Sequence, residues 1–302
     1  DRIRLGHYLE TYPYDLIHCH LDNDHRIGKG VAKKRGLPLV RSNYYGEGFP
    51  DKRTFTRLVA GAAHVIEPSH LAADHDARAH GLEPSHQTVV PGAVDVERFD
   101  PAREVPDGRR WLNIPADAFV VGIVARMQTH RHYEDFFEAV RMLVAKYPHA
   151  HVIVVGRGTR QEKVGKEPVR RFGLADHVHF PGYLDGENYV GMLNAFDVKV
   201  YLVPGSDGTC RAVRECMAMR KPAVVADRGM LREIVDDGEN GIVCDGSAEA
   251  LFSALDRLAD DRQLIHRMGM AAREKAVAHY SLEAQAGAVK DIYKRVLGGP
   301  DT

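Results

Sequence analysis

Short apolar runs alternate with helix-patterned segments along almost the whole chain, and the alternation breaks once, over Ala93–Ala118, before restarting. Before the break, Asp15–His20, Leu39–Ser42, His64–Glu67 and Thr88–Val90 read as strands, with helices at Ile27–Arg35, Lys52–Gly61 and Ser69–His80. After it, Phe119–Val124, Val152–Val155, His177–Phe180, Asp197–Leu202 and Ala223–Ala226 read as strands. Helical patterns follow them at Tyr133–Tyr147, Arg160–Phe172, Glu187–Ala195 and Cys210–Met219. This rhythm predicts an α/β fold with parallel, doubly wound sheets. The interruption carries Pro101, Pro106, Gly108 and Pro115 among mixed charges and reads as a connection between two such units. The end is helical from Ala248 to about Leu297, broken near Asp260–Asp261 and at Tyr280–Ser281, where Ser281 suits an N-cap. The expected division is a first domain over 1–100, a linker over 101–118, a second domain over 119–280 and a final helix over 281–302. Asp1–Glu10 reads as the tail of an amphipathic helix and the first domain has few strands, so an upstream part of that domain is expected.

Composition narrows the function classes. Lys and Arg number 41 against 42 Asp and Glu, so the surface offers no general attraction for nucleic acid and phosphate recognition must be local. Cys19, Cys210, Cys216 and Cys244 are scattered without CxxC spacing, which suits reduced thiols of a cytoplasmic protein. No apolar run is long enough to span a bilayer, and no signal peptide opens the chain. Lys29, Lys33, Lys34 and Arg35 form a basic stretch that fits peripheral contact with a membrane and fits a solvated helix face equally. His20, Asp22, Asp24 and His25 crowd one loop, and no metal site is assigned to them. Gly156-Arg157-Gly158 lacks the full dinucleotide fingerprint.

In open α/β sheets, ligands bind beyond the carboxyl ends of the strands. The segment after Asp197–Leu202 is the most informative such place, because small and polar residues there lead into a helix with Ala212, Cys216 and Met219 on its apolar face. Unpaired amides of Gly208, Thr209 and Cys210 at that helix start would make an anion site suited to a diphosphate. Glu215, two turns in, can accept hydrogen bonds from the vicinal hydroxyls of a ribose.

The same segment, DGTCRAVRECMAMRKPAVV, resembles the E-x7-E region of glycosyltransferase family 4, which usually reads EGFGLVxLEAMAxGxPVV. Glu233–Gly241 resembles that family's EIVxDGxNG, and Val90–Phe99 its IPNGVDxxxF hinge segment. Val121–Arg126, Val155–Gly158, Phe180–Gly182 and Asp15–His20 resemble four further family stretches, in the family's order and over nearly the whole chain. The resemblance implies a GT-B fold of two Rossmann-like domains. It also implies transfer of a sugar with retained anomeric configuration from a UDP- or GDP-sugar to a glycan, lipid-linked or small-molecule acceptor. The leaving phosphate would assist deprotonation of the acceptor, with no cofactor beyond the donor. Bacterial surface polysaccharide or lipopolysaccharide assembly is a setting that the resemblance suggests.

Site roles carry over by position. Arg126 and Arg131 stand where the family has an Arg and usually a Lys, and are implied to reach the donor diphosphate; at Arg131 a planar fork replaces a point charge. Asp207 replaces the Glu that contacts the transferred sugar, one methylene shorter, which bears on the choice of sugar. Glu215 matches the ribose-binding Glu; Phe180, Gly182 and Tyr183 fall at the base pocket; His20 faces the acceptor. His18 reads as a structural residue on the opposite face of its strand. Asp207 could instead serve only the helix dipole, and Arg126 and Arg131 could be surface charges beside Glu134 and Asp135. A donor-binding module without turnover and a GT-B sugar-nucleotide epimerase are the alternative functions.

Overall fold

A computed structural model describes residues 1–298, with the side chains of Arg2, Asp207 and Thr209 outside the described set. It divides into two compact units: Asp1–Ala93 with Gly205–Thr209 and the segment from Leu282 onward, and Val94–Pro204 with Cys210–Ser281. Both are built on parallel sheets.

In the first unit, β1 (Ile17–Cys19), β2 (Leu39–Ser42), β3 (His64–Glu67) and β4 (Gln87–Val89) lie side by side in chain order, all parallel. The helix after β1 spans Asp22–Arg35, starting well before the expected Ile27. Its early start has a local cause: the Asp24 carboxylate accepts the amides of His20 at 3.0 Å and Leu21 at 2.7 Å, and so caps the first turn. Gly36, at φ 67°, ends it in the left-handed conformation that glycine adopts without steric cost. The helix Leu282–Val296 covers this unit's sheet by packing Ile292 against Val40, Ile66 and Val90.

The second unit holds β5 (Phe119–Val124), β6 (Ala150–Val155), β7 (Val178–Gly182), β8 (Val198–Tyr201), β9 (Ala223–Ala226) and β10 (Gly241–Cys244), in the spatial order β10-β9-β8-β5-β6-β7. Period-two alternation sends Val120, Ile153 and Val155 into one core and Phe119, Val121, Ile123, Val152 and Val154 into the other. Helices Tyr133–Lys146 and Ala248–Asp260 cover one face with Phe136, Val140, Leu143, Leu251 and Leu255; Val213, Cys216 and Met217 cover the other. A sheet covered on both faces needs strands that are apolar throughout, which is why these runs do not alternate in polarity. On the central β5, Gly122 leaves room for Phe196, whose ring a Cβ would meet at 2.0 Å.

Several elements differ from their expected form. The helix expected over Arg160–Phe172 is a π turn, Glu162–Lys166, running into a short α-helix, Glu167–Arg171, with Pro168 in its first turn. Strand β10 and the helix Leu231–Ile234 sit where no separate element was expected. The proline-rich break contains one helical turn, Gly108–Trp111, capped by Asp107.

Candidate active site

The strand order of the second unit reverses between β5 and β8, which pair through Val121↔Val198 and Gly122↔Lys199. Their carboxyl ends therefore flank a topological switch point, the place where open α/β sheets bind ligands. Arg126 follows β5, is exposed, and has no side-chain partner among the described residues. Arg131 closes the turn Thr129–Arg131 and is half-buried. His132, at φ 56°, then turns the chain into the helix Tyr133–Lys146. A non-glycine residue in that region is uncommon and signals a constrained turn, here the one that aims Arg131. Arg131 donates from Nη1 to the Tyr201 hydroxyl at 3.2 Å, while its buried Nε has no partner.

The segment after β8 enters the helix Asp207–Ala218, as the sequence suggested, although the helix begins at Asp207 and not at Cys210. Its opening residues Gly205–Thr209 group with the first unit and the rest, from Cys210, with the second. Gly208 is exposed; Asp207 and Thr209 open the helix, but their side chains lie outside the described set. Cys210 is buried, its thiol donating to the Pro204 carbonyl at 3.9 Å.

Glu215 is 4% exposed. Its Oε2 accepts from the Tyr189 hydroxyl at 2.6 Å and its Oε1 from Arg211 Nε at 2.9 Å. A buried carboxylate needs such donors to offset lost hydration. Burial, with the Glu215 charge adding to it, raises the Tyr189 hydroxyl far above the usual tyrosine range, so it stays a donor. Sequence reasoning found Glu215 but neither holder; Arg211 was legible as its i−4 neighbour, whereas Tyr189 comes from another helix, Gly186–Asn194. Beneath the site Lys199 is fully buried, and burial lowers its amine to about 8. At the far side of β5, Phe180 is half-buried, Gly182 at φ 86° accepts the Gly156 amide at 2.8 Å, and Tyr183 is exposed with the Arg157 guanidinium 5.4 Å from its ring centre.

The first unit holds a cleft of about 190 Å³ at the carboxyl ends of its strands. His20 after β1, Asn43 and Tyr44 after β2, Pro68 after β3 and Val90 after β4 line it, and Gln285, Val289 and Tyr293 of the last helix close it. His20 bonds through Nδ1 to the Tyr44 hydroxyl at 2.7 Å. The expectation for His18 is corrected: it lines the same cleft, its ring centre 4.2 Å from that of His20. Residues two apart in extended backbone share a face, and His20 continues directly from β1, so the two rings fall together. His18 bonds to the Tyr293 hydroxyl at 2.5 Å and the Ser42 hydroxyl at 2.9 Å. Burial, reinforced by the charge of His20, lowers it to about 4 and keeps it neutral near pH 7.

The crowded His20–His25 segment is not one loop: Asp22 opens the helix Asp22–Arg35, Asp24 is taken up by the His20 and Leu21 amides, and His25 is fully buried in the helix. The basic stretch is also divided. Lys29 donates to backbone carbonyls of Arg57 and Leu58, and Arg35 to Gly6 and Glu10, which leaves Lys33 and Lys34 exposed. No helix among the described residues is long and apolar enough to cross a membrane.

Comparison with known proteins agrees with this architecture. The chain is 26% identical over 313 residues to the D-inositol 3-phosphate glycosyltransferase of Corynebacterium urealyticum, covering 95% of this chain and 73% of that one. It is 29% identical over 319 residues to the enzyme of that name from Thermomonospora curvata, covering 96% and 72%. A glycosyltransferase from Rickettsia africae superimposes with a TM-score of 0.84 at 17% identity, covering 99% of this chain and 81% of that one. Anabaena HepE in complex with UDP-glucose superimposes with 0.79 at 20% identity, covering 97% and 82%. Both structures share the GT-B fold class expected from the sequence. The family model for glycosyl transferases group 1 matches residues 106–275, more than half of the chain, so this protein belongs to that family and is a glycosyltransferase.

Proposed function

We propose that the chain transfers a sugar from a nucleotide-diphosphate sugar to a hydroxyl-bearing acceptor with retention of anomeric configuration. The observation that supports this reading is a pair of preset groups on the elements that follow the two switch-point strands: Arg131, bonded to Tyr201 in the turn after β5, and Glu215, buried and held by Tyr189 and Arg211 in the helix after β8. A pre-positioned carboxylate suits the two hydroxyls of a ribose. Arg126, Arg131 and the amides opening the helix Asp207–Ala218 are the groups proposed to take the diphosphate, whose charge grows as the glycosidic bond breaks. The donor-binding set is Gly208, Thr209, Cys210, Glu215, Phe180, Gly182 and Tyr183, with Asp207 directed at the transferred sugar. HepE binding UDP-glucose on a similar fold supports a UDP-sugar as the first donor to try.

On the acceptor side, we assign the first unit's cleft to a polyhydroxylated molecule. Its lining offers imidazoles, hydroxyls and amides from His18, His20, Ser42, Asn43, Tyr44 and Gln285, groups that exchange hydrogen bonds with alcohols. The name of the Corynebacterium and Thermomonospora relatives makes inositol 3-phosphate the first acceptor to test. A role in surface-glycan assembly at the cytoplasmic face of a membrane rests on family resemblance.

Titration calorimetry with UDP-, GDP- and ADP-sugars, followed by a released-nucleotide assay and NMR of the product's anomeric proton, tests the proposal. Nucleotide release that requires an acceptor and yields a retained linkage supports it. Binding without release would favour a non-catalytic module, and sugar isomerisation without an acceptor would favour an epimerase.

A further inference from the structure

The helix His70–His80 carries a group of potential metal ligands away from the residues assigned to sugar transfer. One ligand atom each from His75, Asp76 and His80 lies within 4.8 Å of the others. Asp76 Oδ1 is 2.7 Å from His75 Nδ1 and 4.0 Å from His80 Nε2. An ion with tetrahedral bonds of ~2.0–2.1 Å needs its ligands roughly 3.3 Å apart, so changes in ligand separation of at most about 1.5 Å would complete the set.

Three observations point to a ligand here. The His80 side chain is fully buried, yet its Nε2 has no hydrogen-bond partner. Its other nitrogen, Nδ1, lies 2.9 Å from the Thr56 hydroxyl. With the proton on Nδ1, Thr56 accepts it and Nε2 keeps a lone pair aimed at Asp76, the second-shell arrangement typical of metal-bound imidazole. The carboxylate is equally oriented: Oδ1 accepts the Phe49 amide at 2.8 Å and Oδ2 accepts Asn43 Nδ2 at 3.0 Å.

A second buried carboxyl group lies beside this one, with the buried Arg41 guanidinium as the nearby cation. Glu67, fully buried, accepts from the same Asn43 nitrogen at 2.8 Å, and its second oxygen has no partner. The Asn43 amide thus bridges the two buried carboxyl groups and fixes Asp76 from one side. Gly48, at φ 100°, lets the loop pass over the ligand atoms, where a Cβ would meet His75 Nδ1 at 2.3 Å. The His75 side chain is 34% exposed, which gives an ion a route in and leaves a coordination position open to water.

We infer that His75, Asp76 and His80 bind one divalent transition-metal ion that imidazole and carboxylate favour, of the zinc(II) type. Bound there, the ion would staple successive turns of the helix His70–His80 and fix the Asp76 carboxylate to which Asn43 and the Phe49 amide bond. Because Asn43 both bonds Asp76 and lines the cleft, the site would stiffen one wall of that cleft. The inference is independent of the donor, acceptor and stereochemistry proposed above.

The test uses the whole chain, stripped with EDTA and desalted, with cobalt(II) as a visible probe and zinc(II) as its competitor. One equivalent of cobalt(II) should give d–d absorption bands that zinc(II) abolishes, and zinc(II) should raise the Tm. His75→Gln, chosen because His75 is half-exposed and its loss should spare folding, should remove both effects while keeping the wild-type circular dichroism. Thr56→Val should bind ~10–100-fold more weakly. Absence of the bands, or bands and a Tm rise that persist in His75→Gln, would overturn the site.

Discussion

Glu67 makes the first unit's stability depend on pH in a direction opposite to that of most carboxylates. Burial, followed by the neighbouring Asp76 charge, raises its carboxyl from 4.5 to about 8. A carboxyl whose folded pKa is raised stabilises the fold in its protonated form; that contribution is complete below pH 4.5 and is lost as pH climbs through about 8. Each tenfold step in proton affinity is worth ~1.4 kcal/mol, which sets a ceiling of about 5 kcal/mol across that window. Water entry and relaxation around a buried charge reduce such figures, so about 2–3 kcal/mol is the expected loss between pH 5 and pH 9. Glu67→Gln keeps an oxygen to accept from Asn43 and an amide to donate to Asp76, but cannot ionise. Urea unfolding in EDTA, followed by circular dichroism from pH 5 to pH 9, should show wild type and variant nearly equal at pH 5, with the variant more stable at pH 9. Parallel stability curves for the two proteins would show that Glu67 is charged throughout, and the description of its surroundings would fail.

Other consequences can be checked separately. Arg131→Ala should lower kcat in the released-nucleotide assay by ~10²–10³-fold, with Arg131→Lys recovering part of the loss, because a preorganised charge at a developing anion is worth several kcal/mol. Tyr189→Phe removes a charge-assisted hydrogen bond from a buried carboxylate and should cost ~1.5–3 kcal/mol in urea unfolding, with a higher KM for the donor. Gly122→Ala forces a methyl group into the Phe196 ring and should destabilise the second unit by about 1–3 kcal/mol, read as a lower Tm.

The sequence alone determined what local pattern can determine. Short, β-branched apolar runs such as Phe119–Val124 suit strands covered on both faces, and the breaks at Asp260–Asp261 and Tyr280–Ser281 fall where the helices Ala248–Asp260 and Arg262–Tyr280 end. Candidates such as Glu215 and His20 were visible because they follow strands or sit a fixed number of residues into a helix. The tertiary structure decided which side chains meet. Tyr189 reaches Glu215 across 26 positions, Tyr293 reaches His18 across 275, and Glu67, Asp76 and His80 share a buried site with Asn43 across three elements. No periodicity encodes such meetings, because they depend on where the sheet's crossovers deliver distant helices. Burial of those groups then sets their protonation, a property fixed by desolvation and neighbours and not by residue type.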